Sequence, residues 1–548
     1  MHLNPIRRCF AICAAIVALS IHQNAMSIEP SNPPLTIAHP WLPDQGDGTY
    51  RNPIICADYS DPDVIRDGED FWLTASSFNC TPGLPILHSR DLVNWTIVNY
   101  AIKNNPDPRG VFDLPRHGEG VWAPAIRRHD GKFWIFFPMP DEGIYVTTAA
   151  DPRAQWSEPK LLLEGKGIID PCPLWDDDGK AYLVHAYARS RAGIKNILRV
   201  RPMAPDASRI LGEGEIVYND PDGQPTLEGP KFHKRDGWYI LSAPAGGVAT
   251  GWQLILRSKN IYGPYEPKIV LEQGKSPING PHQGAIVDLA NGDSWFVHFQ
   301  DMGIYGRVTH LQPVQWKEGW PLMGVDADGD GVGEPVLRYK KPSVAIEEKI
   351  AITAPQTSDE FDAEKLGLQW QWHANHREDW ATLSARKGWL RLRAIQADTD
   401  FAKEPNLLLQ KLPAREFVAE TLVQLPANSN GVDAGLIVMG KKHAALALLN
   451  DQKGPRIAYI VNNKTEAAEK IDGDTARLRV EMKDGGQCSF SFAGADGAFK
   501  PIGPAFQATE GMWIGAKIGI FCRASDADVN AGAHGDFDYF RFGPPMSK

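Results

Sequence analysis

Five side chains that could do chemistry recur along the first part of the chain in the same local setting. Three are carboxylic acids, one is an indole and one is an imidazole, and each is followed within two residues by Pro or Gly: Asp61 in SDPDVI, Trp122 in GVWAPAI, Asp170 in IIDPCPL, Glu228 in LEGPKF and His282 in GPHQGAI. A single Asp-Pro pair usually only starts a turn. The repetition of the setting indicates instead that these five side chains converge.

Three converging carboxylates suit the hydrolysis of a glycosidic bond. One acid must protonate the leaving oxygen, and an ionised carboxylate must activate water or attack carbon. Two carboxylic acids in equal environments would both be ionised at neutral pH, and a third carboxylate nearby raises one pKa by like-charge repulsion. A flanking Trp offers an apolar face on which a sugar ring can stack. The alternative is that these acids only form turns or bind a metal ion. That interpretation would be favoured for any single Asp-Pro pair, but not for three acids that recur in the same setting.

The elements that must position these side chains are five similar segments that predict β-strands. Each is a glycine turn followed by aromatic and aliphatic residues: GEDFWLTAS from 68, GKFWIFFP from 131, GKAYLVHAY from 179, GWYILSAP from 237 and GDSWFVHFQ from 292. A repeat of about fifty residues with about four short strands is typical of a propeller blade. The sequence therefore predicts an all-β fold with a five-bladed β-propeller, in which residues at one phase meet on the axis. An irregular β-sandwich, the alternative, does not predict the shared phase.

The motifs SDPDVI, IIDPCPLW, LEGPKF and GPHQGAIVD, in this order, resemble those of glycoside hydrolase family 43. The resemblance implies a five-bladed propeller and an inverting mechanism. It also implies that Asp61 is the general base, that Glu228 is the general acid, and that Asp170 modulates the pKa and orients the acid. Invertase-like fructosidases share the propeller but are disfavoured, because Ile rather than Arg precedes Asp170 and Gly rather than Cys follows Glu228.

The same resemblance implies further contacts with substrate. Phe78, in SSFNCTPGLPI, and Trp122 resemble subsite walls, and Arg307, in YGRVTHLQPVQW, resembles the arginine that holds sugar hydroxyls beside the acid site. His282 resembles a channel histidine that lies near substrate and near a bound calcium ion or water. Calcium held by His282 through water is therefore one expectation, and no other cofactor is expected to be required.

A second domain is predicted after the propeller. The expected organisation is a signal peptide at 1–27, the propeller at 28–341, a linker at 342–357 and a β-sandwich at 358–548, where evenly spaced alternating runs occur. The segments EFD, QWQW and DFDYFRF resemble the concanavalin-A-like (jelly-roll) domain of family 43 xylosidases, in which a sandwich loop can close one end of the pocket. Trp370, Trp372 and Trp380 are expected in the sandwich core, with a sugar-binding surface as the alternative.

The N-terminus predicts export. Arg7 and Arg8 precede a short apolar run at 9–21, and Ala25-Met26-Ser27 is a small-x-small cleavage site, so a secreted or periplasmic location is expected. A net charge of −10 and a pI near 5.9 give no support for a nucleic-acid partner or an anionic membrane surface. The cysteines are too widely spaced for a zinc site, although Cys56 and Cys80 could pair in an oxidising compartment.

One acidic loop copies the beginning of a calcium-binding loop. Asp326, Asp328 and Asp330 lie in DADGDGVGE, but the twelfth position, where an EF-hand needs Glu, is Leu337. A solvated acidic turn is the first interpretation, and a small structural calcium site is the second.

Together these features predict an exo-glycosidase that removes terminal sugars from plant hemicellulose such as xylan or arabinoxylan. A β-xylosidase is favoured because the second domain resembles that subgroup. An α-L-arabinofuranosidase is the alternative, because xylopyranose and arabinofuranose can present similar hydroxyl arrangements. A catalytically silent sugar-binding propeller would be expected to lack one of the three acids, and this chain has all three. The sequence predicts an oligosaccharide as partner, without a membrane span, and leaves the oligomeric state open.

Overall fold

Nearly all the regular structure is β-strand, and the first part of the chain is a ring of five four-stranded antiparallel sheets. The structure is a computed structural model that describes residue 35 and residues 37–545, apart from 347, 397–399, 427–428, 452–453, 496 and 525–531. The predicted signal peptide lies outside the described residues. The predicted five-bladed propeller is confirmed.

Within each blade, the strands follow one another in chain order from the axis to the rim. Blade 1 consists of Asp63–Asp67, Asp70–Thr74, Gly83–Ser89 and Thr96–Ile102, and blade 2 of Ala125–His129, Lys132–Met139, Gly143–Ala149 and Lys160–Glu164. Blade 3 consists of Ile168–Trp175, Ala181–Tyr187, Ile197–Met203 and Glu215–Asn219. Blade 4 consists of Lys231–Arg235, Trp238–Ala245, Trp252–Ser258 and Glu266–Leu271, and blade 5 of His282–Asp288, Ser294–Asp301, Arg307–Lys317 and Trp320–Met323.

The five glycine turns join the first strand of each blade to the second. They lie in the left-handed region, with φ of 64, 74, 80, 72 and 91° at Gly68, Gly131, Gly179, Gly237 and Gly292. Residues with a Cβ atom adopt this region at a cost, which explains a glycine at the same phase of each blade. The aromatic residues after the turns fill the space between blades. Trp72 of blade 1, for example, packs edge-on against Phe133 of blade 2.

Where the ring closes, none of the described strands of blade 5 belongs to the sheet of blade 1, and none of blade 1 belongs to that of blade 5. We call the boundary between these two blades the seam. Thr49–Arg51 pairs antiparallel with Arg338–Lys340, downstream of blade 5. The Asn52 side chain accepts a hydrogen bond from the Leu311 N–H and donates one to the Leu311 carbonyl, both at 2.9 Å. These contacts and the antiparallel backbone bridge between Ile55 and Thr309 therefore hold the seam together.

The second domain is a sandwich of two antiparallel sheets. The first sheet contains Gln371–Trp372, Leu408–Lys411, Lys517–Ala524, Val432–Met439, His443–Asp451, Gly454–Val461 and Lys464–Lys470, with Ile395–Gln396 paired in parallel to Lys517–Ala524. The second contains Ala381–Thr382, Leu390–Arg393, His534–Gly543, Phe417–Gln424, Thr475–Lys483, Gln487–Gly494 and Lys500–Pro501, with Phe506–Gln507 paired to Gln487–Gly494. The predicted β-sandwich is confirmed.

The sandwich core is apolar and contains the tryptophans assigned to it. Trp370, Trp372 and Trp380 are all buried there, which confirms core packing and leaves no exposed face for sugar. All five described cysteines are buried free thiols, so the suggested Cys56–Cys80 disulfide is not formed. Both thiols contribute to packing instead, because a buried free cysteine behaves as a small apolar side chain.

Within the part of the chain that the structure describes, helical structure is confined to one short helix, Arg189–Ala192, and the 3-10 turns Gly303–Tyr305, Glu378–Trp380 and Phe401–Lys403. None of the described helices has the length and apolar character needed to cross a membrane.

The sandwich contacts the propeller on both sides of the seam. On the blade 1 side, the Asn79 side chain donates to the His373 carbonyl at 2.7 Å and the Thr81 N–H donates to the Trp372 carbonyl at 3.0 Å. On the blade 5 side, Tyr305 enters the sandwich core, and its hydroxyl donates to the Arg415 carbonyl at 3.2 Å. The described residues from 35 onward therefore form one compact unit.

Candidate active site

One cavity lies where the first strands of the blades begin, and six of the seven predicted site residues line it. The cavity has a volume of about 270 Å³, near the small end of the range for ligand pockets. Its walls include Asp61, Phe78, Trp122, Asp170, Glu228 and Arg307. The shared phase of the sequence motifs thus corresponds to a shared place in the fold.

Asp61 is buried and held by hydroxyl and guanidinium donors. Its Oδ2 accepts hydrogen bonds from the Ser60 hydroxyl at 2.8 Å and from the Ser76 hydroxyl at 2.6 Å. Arg307 Nη1 lies 3.2 Å from Asp61 Oδ1 and also donates to Ser60 at 3.0 Å. These donors hold the carboxylate of Asp61 in a fixed orientation, which suits a group that must activate a water molecule.

Asp170 is buried beside the other two acids. Its Oδ2 accepts the Gly229 N–H at 2.7 Å, and the Gln283 amide lies 3.4 Å away. Burial, followed by the negative charges of Glu228 and Asp61, raises the pKa of Asp170 to about 8. The three carboxylates together therefore retain one proton at neutral pH, as expected for like charges that share a site.

Glu228 is the most accessible of the three acids, with 26% of its side chain exposed. Its Oε1 is hydrogen-bonded to His282 Nε2 at 3.0 Å. His282 itself is fully buried and lies behind Glu228 rather than on the cavity wall. It can therefore orient the Glu228 carboxyl group, whereas a sugar in the cavity would meet Glu228 first.

The aromatic walls are held by the chain segment before blade 2. Phe78 and Trp122 lie 6.3 Å apart between ring centroids, and the Trp122 indole donates to the Gly118 carbonyl at 3.2 Å. Arg191 lies over the Trp122 ring, 5.0 Å from its centroid. These contacts fix two apolar faces next to the acids.

The backbone is strained where it forms this cavity. Six non-glycine residues of the cavity have positive φ angles: Asp61 (56°), Phe78 (51°), Asp170 (55°), Thr226 (56°), Gln283 (34°) and Trp513 (64°). The strand registers also shift around Asp170 and Gln283, so these residues lie on β-bulges. Such conformations cost free energy and concentrate at functional sites, where they direct side chains that a regular strand would point elsewhere.

Several cavity residues were not predicted from the sequence. Arg189, Ser190, Thr226, Val248, Gln283 and Trp513 also line the cavity. Gln283 directly follows His282, so its motif contained a signal. Trp513 comes from the sandwich, in a loop between strands, and nothing in its local sequence indicates proximity to the acids. Gly118 allows Trp513 to reach the mouth of the cavity. A Cβ atom at position 118 would lie only 3.2 Å from the Trp513 ring and 2.6 Å from Met512, so a larger residue there would push the loop away.

His282 offers no oxygen ligand of its own, so the predicted calcium ion would have to be held through water. Calcium takes six to eight oxygen ligands, whereas His282 offers one buried nitrogen, Nδ1, that has no partner among the described atoms. The inner strands around the same axis carry buried cations, since Arg127 pairs with Asp63 at 2.6 Å and Lys231 donates to the Pro124 carbonyl at 2.7 Å. The calcium prediction therefore rests on the resemblance alone, and no chemical step is assigned to a metal.

The acidic loop is separate from the cavity. Among the described residues, only Asp326, Asp328 and Asp330 bring three metal-binding groups within 4.8 Å of one another. Asp326 accepts hydrogen bonds from the Gly329 and Gly331 N–H groups, as in a self-contained acidic turn.

Two family models match separate parts of the chain. The family model for glycosyl hydrolases family 43 matches residues 50–321. The model for the beta xylosidase C-terminal concanavalin A-like domain matches residues 358–543. The first match covers the ring up to its last strand and includes Asp61, Asp170 and Glu228, and the second covers the strands of the sandwich.

Individual relatives extend over most of the chain. A putative beta-xylosidase of Xylanibacter ruminicola is 40% identical over 87% of this chain and 86% of its own length. A non-reducing end alpha-L-arabinofuranosidase of Bacteroides ovatus is 30% identical over 75% of this chain and 78% of its own length. The solved structure of a xylan beta-1,4-xylosidase from Bacillus halodurans shares the fold, with a TM-score of 0.78 at 24% identity over 90% of this chain and 99% of that one.

Proposed function

The chain belongs to glycoside hydrolase family 43, and from this premise we propose that it is an inverting exo-glycosidase that releases terminal β-D-xylosyl residues from xylan and xylo-oligosaccharides. The convergence of Asp61, Asp170 and Glu228 on one small cavity carries the proposal. Terminal α-L-arabinofuranosyl residues are the second candidate substrate, and the similarity to the arabinofuranosidase of Bacteroides ovatus favours them.

The proposed reaction uses two of the acids directly. Glu228 donates its proton to the glycosidic oxygen as the bond to the anomeric carbon breaks. Asp61 accepts a proton from a water molecule that attacks the same carbon from the opposite face, so the configuration inverts. Glu228 then regains a proton from solvent and Asp61 returns one. Asp170 shares the proton of the coupled set, and we propose that this proton passes to Glu228 for transfer to the leaving oxygen.

The pH dependence of activity follows from that retained proton. Because the pKa of Asp170 is raised to about 8 in the coupled set, the set loses its last proton as pH rises through this value. We expect kcat/KM to fall above about pH 8, since this parameter reports ionisation of the free enzyme. In Asp170→Asn one negative charge is absent, so the alkaline limb should move to lower pH and kcat should decrease. An alkaline limb that stays in place in this variant would contradict the shared-proton arrangement.

Exo-action is supported by the wall that the sandwich contributes. Trp513 covers one side of the mouth, and the residue is 49% exposed, which leaves it free to contact a sugar beyond the scissile bond. We expect Trp513→Ala to raise KM for xylobiose about 3- to 10-fold, because stacking on an aromatic ring contributes about 0.5–1.5 kcal/mol, with kcat changed less. Steady-state kinetics on xylobiose would measure the change.

Met512→Ala is the matched control for this loop. Met512 is also exposed and packs beside Gly118, but it does not line the cavity. Its removal should leave KM close to that of the unaltered enzyme. Equal KM values for Trp513→Ala and the unaltered enzyme would show that Trp513 does not contribute to sugar binding.

The substrate proposal is tested by comparing two aryl glycosides, 4-nitrophenyl β-D-xylopyranoside and 4-nitrophenyl α-L-arabinofuranoside. A clear excess of kcat/KM on the xyloside is expected, and the reverse would identify a debranching arabinofuranosidase. Proton NMR of the first-formed sugar distinguishes inversion from retention. Hydrolysis of the xyloside to α-xylose supports the mechanism, and β-xylose as first product would overturn it. No hydrolysis of either compound or of xylobiose would favour a binding protein.

We further propose that the protein is exported, on the basis of Arg7, Arg8 and the apolar run at 9–21. Expression of the full chain in a Gram-negative host is expected to give a periplasmic or secreted protein that begins after Ser27. N-terminal sequencing of that protein would check the cleavage position. An uncleaved cytoplasmic product would contradict export.

A further inference from the structure

A fourth buried carboxylate, outside the acid set, joins the base side of the cavity to the sandwich. Asp58 Oδ1 accepts the backbone N–H of Arg307 at 2.9 Å, and its Oδ2 accepts the backbone N–H of Gly515, also at 2.9 Å. The Arg307 side chain in turn contacts Asp61, while Gly515 lies two residues after Trp513. Asp58 thus links the catalytic side of the propeller to the loop that forms a cavity wall.

The two chain segments that Asp58 joins are in backbone contact. A Cβ atom on Gly515 would lie 2.5 Å from the Gly306 nitrogen, and one on Gly306 would lie 2.4 Å from the Asp58 carboxyl carbon. The Ala516 N–H also donates to the Ile304 carbonyl at 2.8 Å. Because only backbone atoms fit between these segments, a displacement of the loop must displace Gly306 and Arg307 as well.

The sandwich also supplies positive charge near Asp58. Lys411 and Lys517 are directly opposite each other on neighbouring strands of the first sheet. Burial and the charge of Lys517 lower the pKa of Lys411 to about 8, while the charge of Asp58 acts in the opposite direction. A carboxylate buried in the propeller therefore accepts an N–H group from the other domain and interacts electrostatically with Lys411 of that domain, which is unusual for a group that only stabilises its own domain.

We propose that Asp58 is a positioning residue that makes the alignment of Arg307 with Asp61 depend on the docking of the sandwich loop at 510–515. The sandwich then controls the rate of the chemical step as well as the shape of the cavity mouth. Physically, Asp58 fixes the Arg307 backbone, and the fixed backbone places the guanidinium against the carboxylate that activates water. This inference rests on the proposed hydrolase function, with Asp61 as its base.

The proposal is tested by a double-mutant cycle between Asp58→Asn and Arg307→Ala. Asn retains the shape of Asp but has one acceptor oxygen, so it cannot satisfy both N–H groups. Alone, Asp58→Asn is expected to lower kcat on the aryl xyloside about 10-fold, with KM changed less than about threefold, because small misplacements near the reacting atoms are costly. In the Arg307→Ala background the same change should lower kcat less than about twofold, since residues that act through one another are not additive.

Asp484→Asn is the matched control. Asp484 belongs to the sandwich, and its Oδ1 lies 3.1 Å from the hydroxyl of Tyr305, two residues before Arg307 in the propeller. Among the described residues, no hydrogen bond or ion pair joins Asp484 to Arg307. This variant should lower the melting temperature and leave kcat unchanged. If Asp58→Asn is poorly folded, Gly515→Ala perturbs the same bridge from the sandwich side and should reproduce the loss of kcat and its dependence on Arg307.

The outcomes separate this inference from the proposed function. If the unaltered enzyme hydrolyses the xyloside and Asp58→Asn lowers kcat equally in both backgrounds, Asp58 is a purely structural group and the inference is overturned. An unchanged kcat for Asp58→Asn, with a lower melting temperature, overturns it as well. If the unaltered enzyme is inactive on both aryl glycosides and on xylobiose, the proposed function has failed first.

Discussion

Glu228→Gln is expected to lower turnover of xylobiose by about 10²- to 10⁴-fold, because a positioned general acid contributes about that factor. Gln has nearly the shape of Glu and can keep the contact with His282, but it has no proton to give to the leaving oxygen. Binding should be preserved, since the cavity walls are unchanged. Steady-state kinetics would measure the loss of kcat, and calorimetric titration with xylobiose would measure the retained affinity.

The leaving group provides an internal control for this variant. A 2,4-dinitrophenolate leaves without protonation, so Glu228→Gln should hydrolyse the dinitrophenyl β-xyloside much more nearly at the rate of the unaltered enzyme. If the loss is the same for xylobiose and for the dinitrophenyl glycoside, Glu228 does not act on the leaving oxygen. Full activity of the variant on xylobiose would contradict the assignment of the acid altogether.

Asp61→Ala is expected to lower kcat on every substrate, including the activated one, by at least about 10²-fold, because the attacking water then has no base. The methyl side chain leaves space beside Ser60, Ser76 and Arg307, into which a small anion can enter. Added formate or azide should therefore restore part of the activity, and azide should give a glycosyl azide of inverted configuration. The rates with and without anion, and the configuration of the azide product, are the measurements.

Asp63→Asn is the control for a nonspecific effect on the same inner strand. Asp63 lies two residues after Asp61 and is fully buried, but it pairs with Arg127 and does not line the cavity. Its variant should be less stable, since breaking a buried ion pair leaves one charge without its partner, while kcat of the folded enzyme should change little. If Asp63→Asn loses as much kcat as Asp61→Ala, and added anions restore neither variant, the assignment of Asp61 as the general base is wrong.

The ring and its acids could be predicted from the sequence because a repeat displays the same physical requirement five times. Each turn between the first and second strands needs a residue that tolerates positive φ, and glycine therefore recurs at one phase. Side chains seven to nine residues before that turn face the axis, which brings Asp61, Asp170 and Glu228 together. The assignments of base, acid and pKa modulator stay predictions until the variants are measured.

The remaining site residues depend on features that no local pattern contains. Trp513 belongs to the cavity only because the sandwich docks against the segment at Gly118, and Asp58 has a role only because Gly515 approaches Gly306. Thr226 and Gln283 reach the cavity through strained or bulged backbone, which sequence periodicity does not reveal. His282 has the expected phase but lies one layer behind Glu228, because the imidazole is fully enclosed below the carboxylate.

The seam between blade 5 and blade 1 gives the sandwich a mechanical role. Asp61 lies two residues before the first strand of blade 1 and Arg307 starts the third strand of blade 5, so the ion pair between them lies across this boundary. Asn79 and Thr81 attach the sandwich to one side, and Tyr305 attaches it to the other. The sandwich therefore holds blade 5 and blade 1 together. A fluctuation that separates these two blades must break the sandwich contacts and the ion pair between Asp61 and Arg307 at the same time.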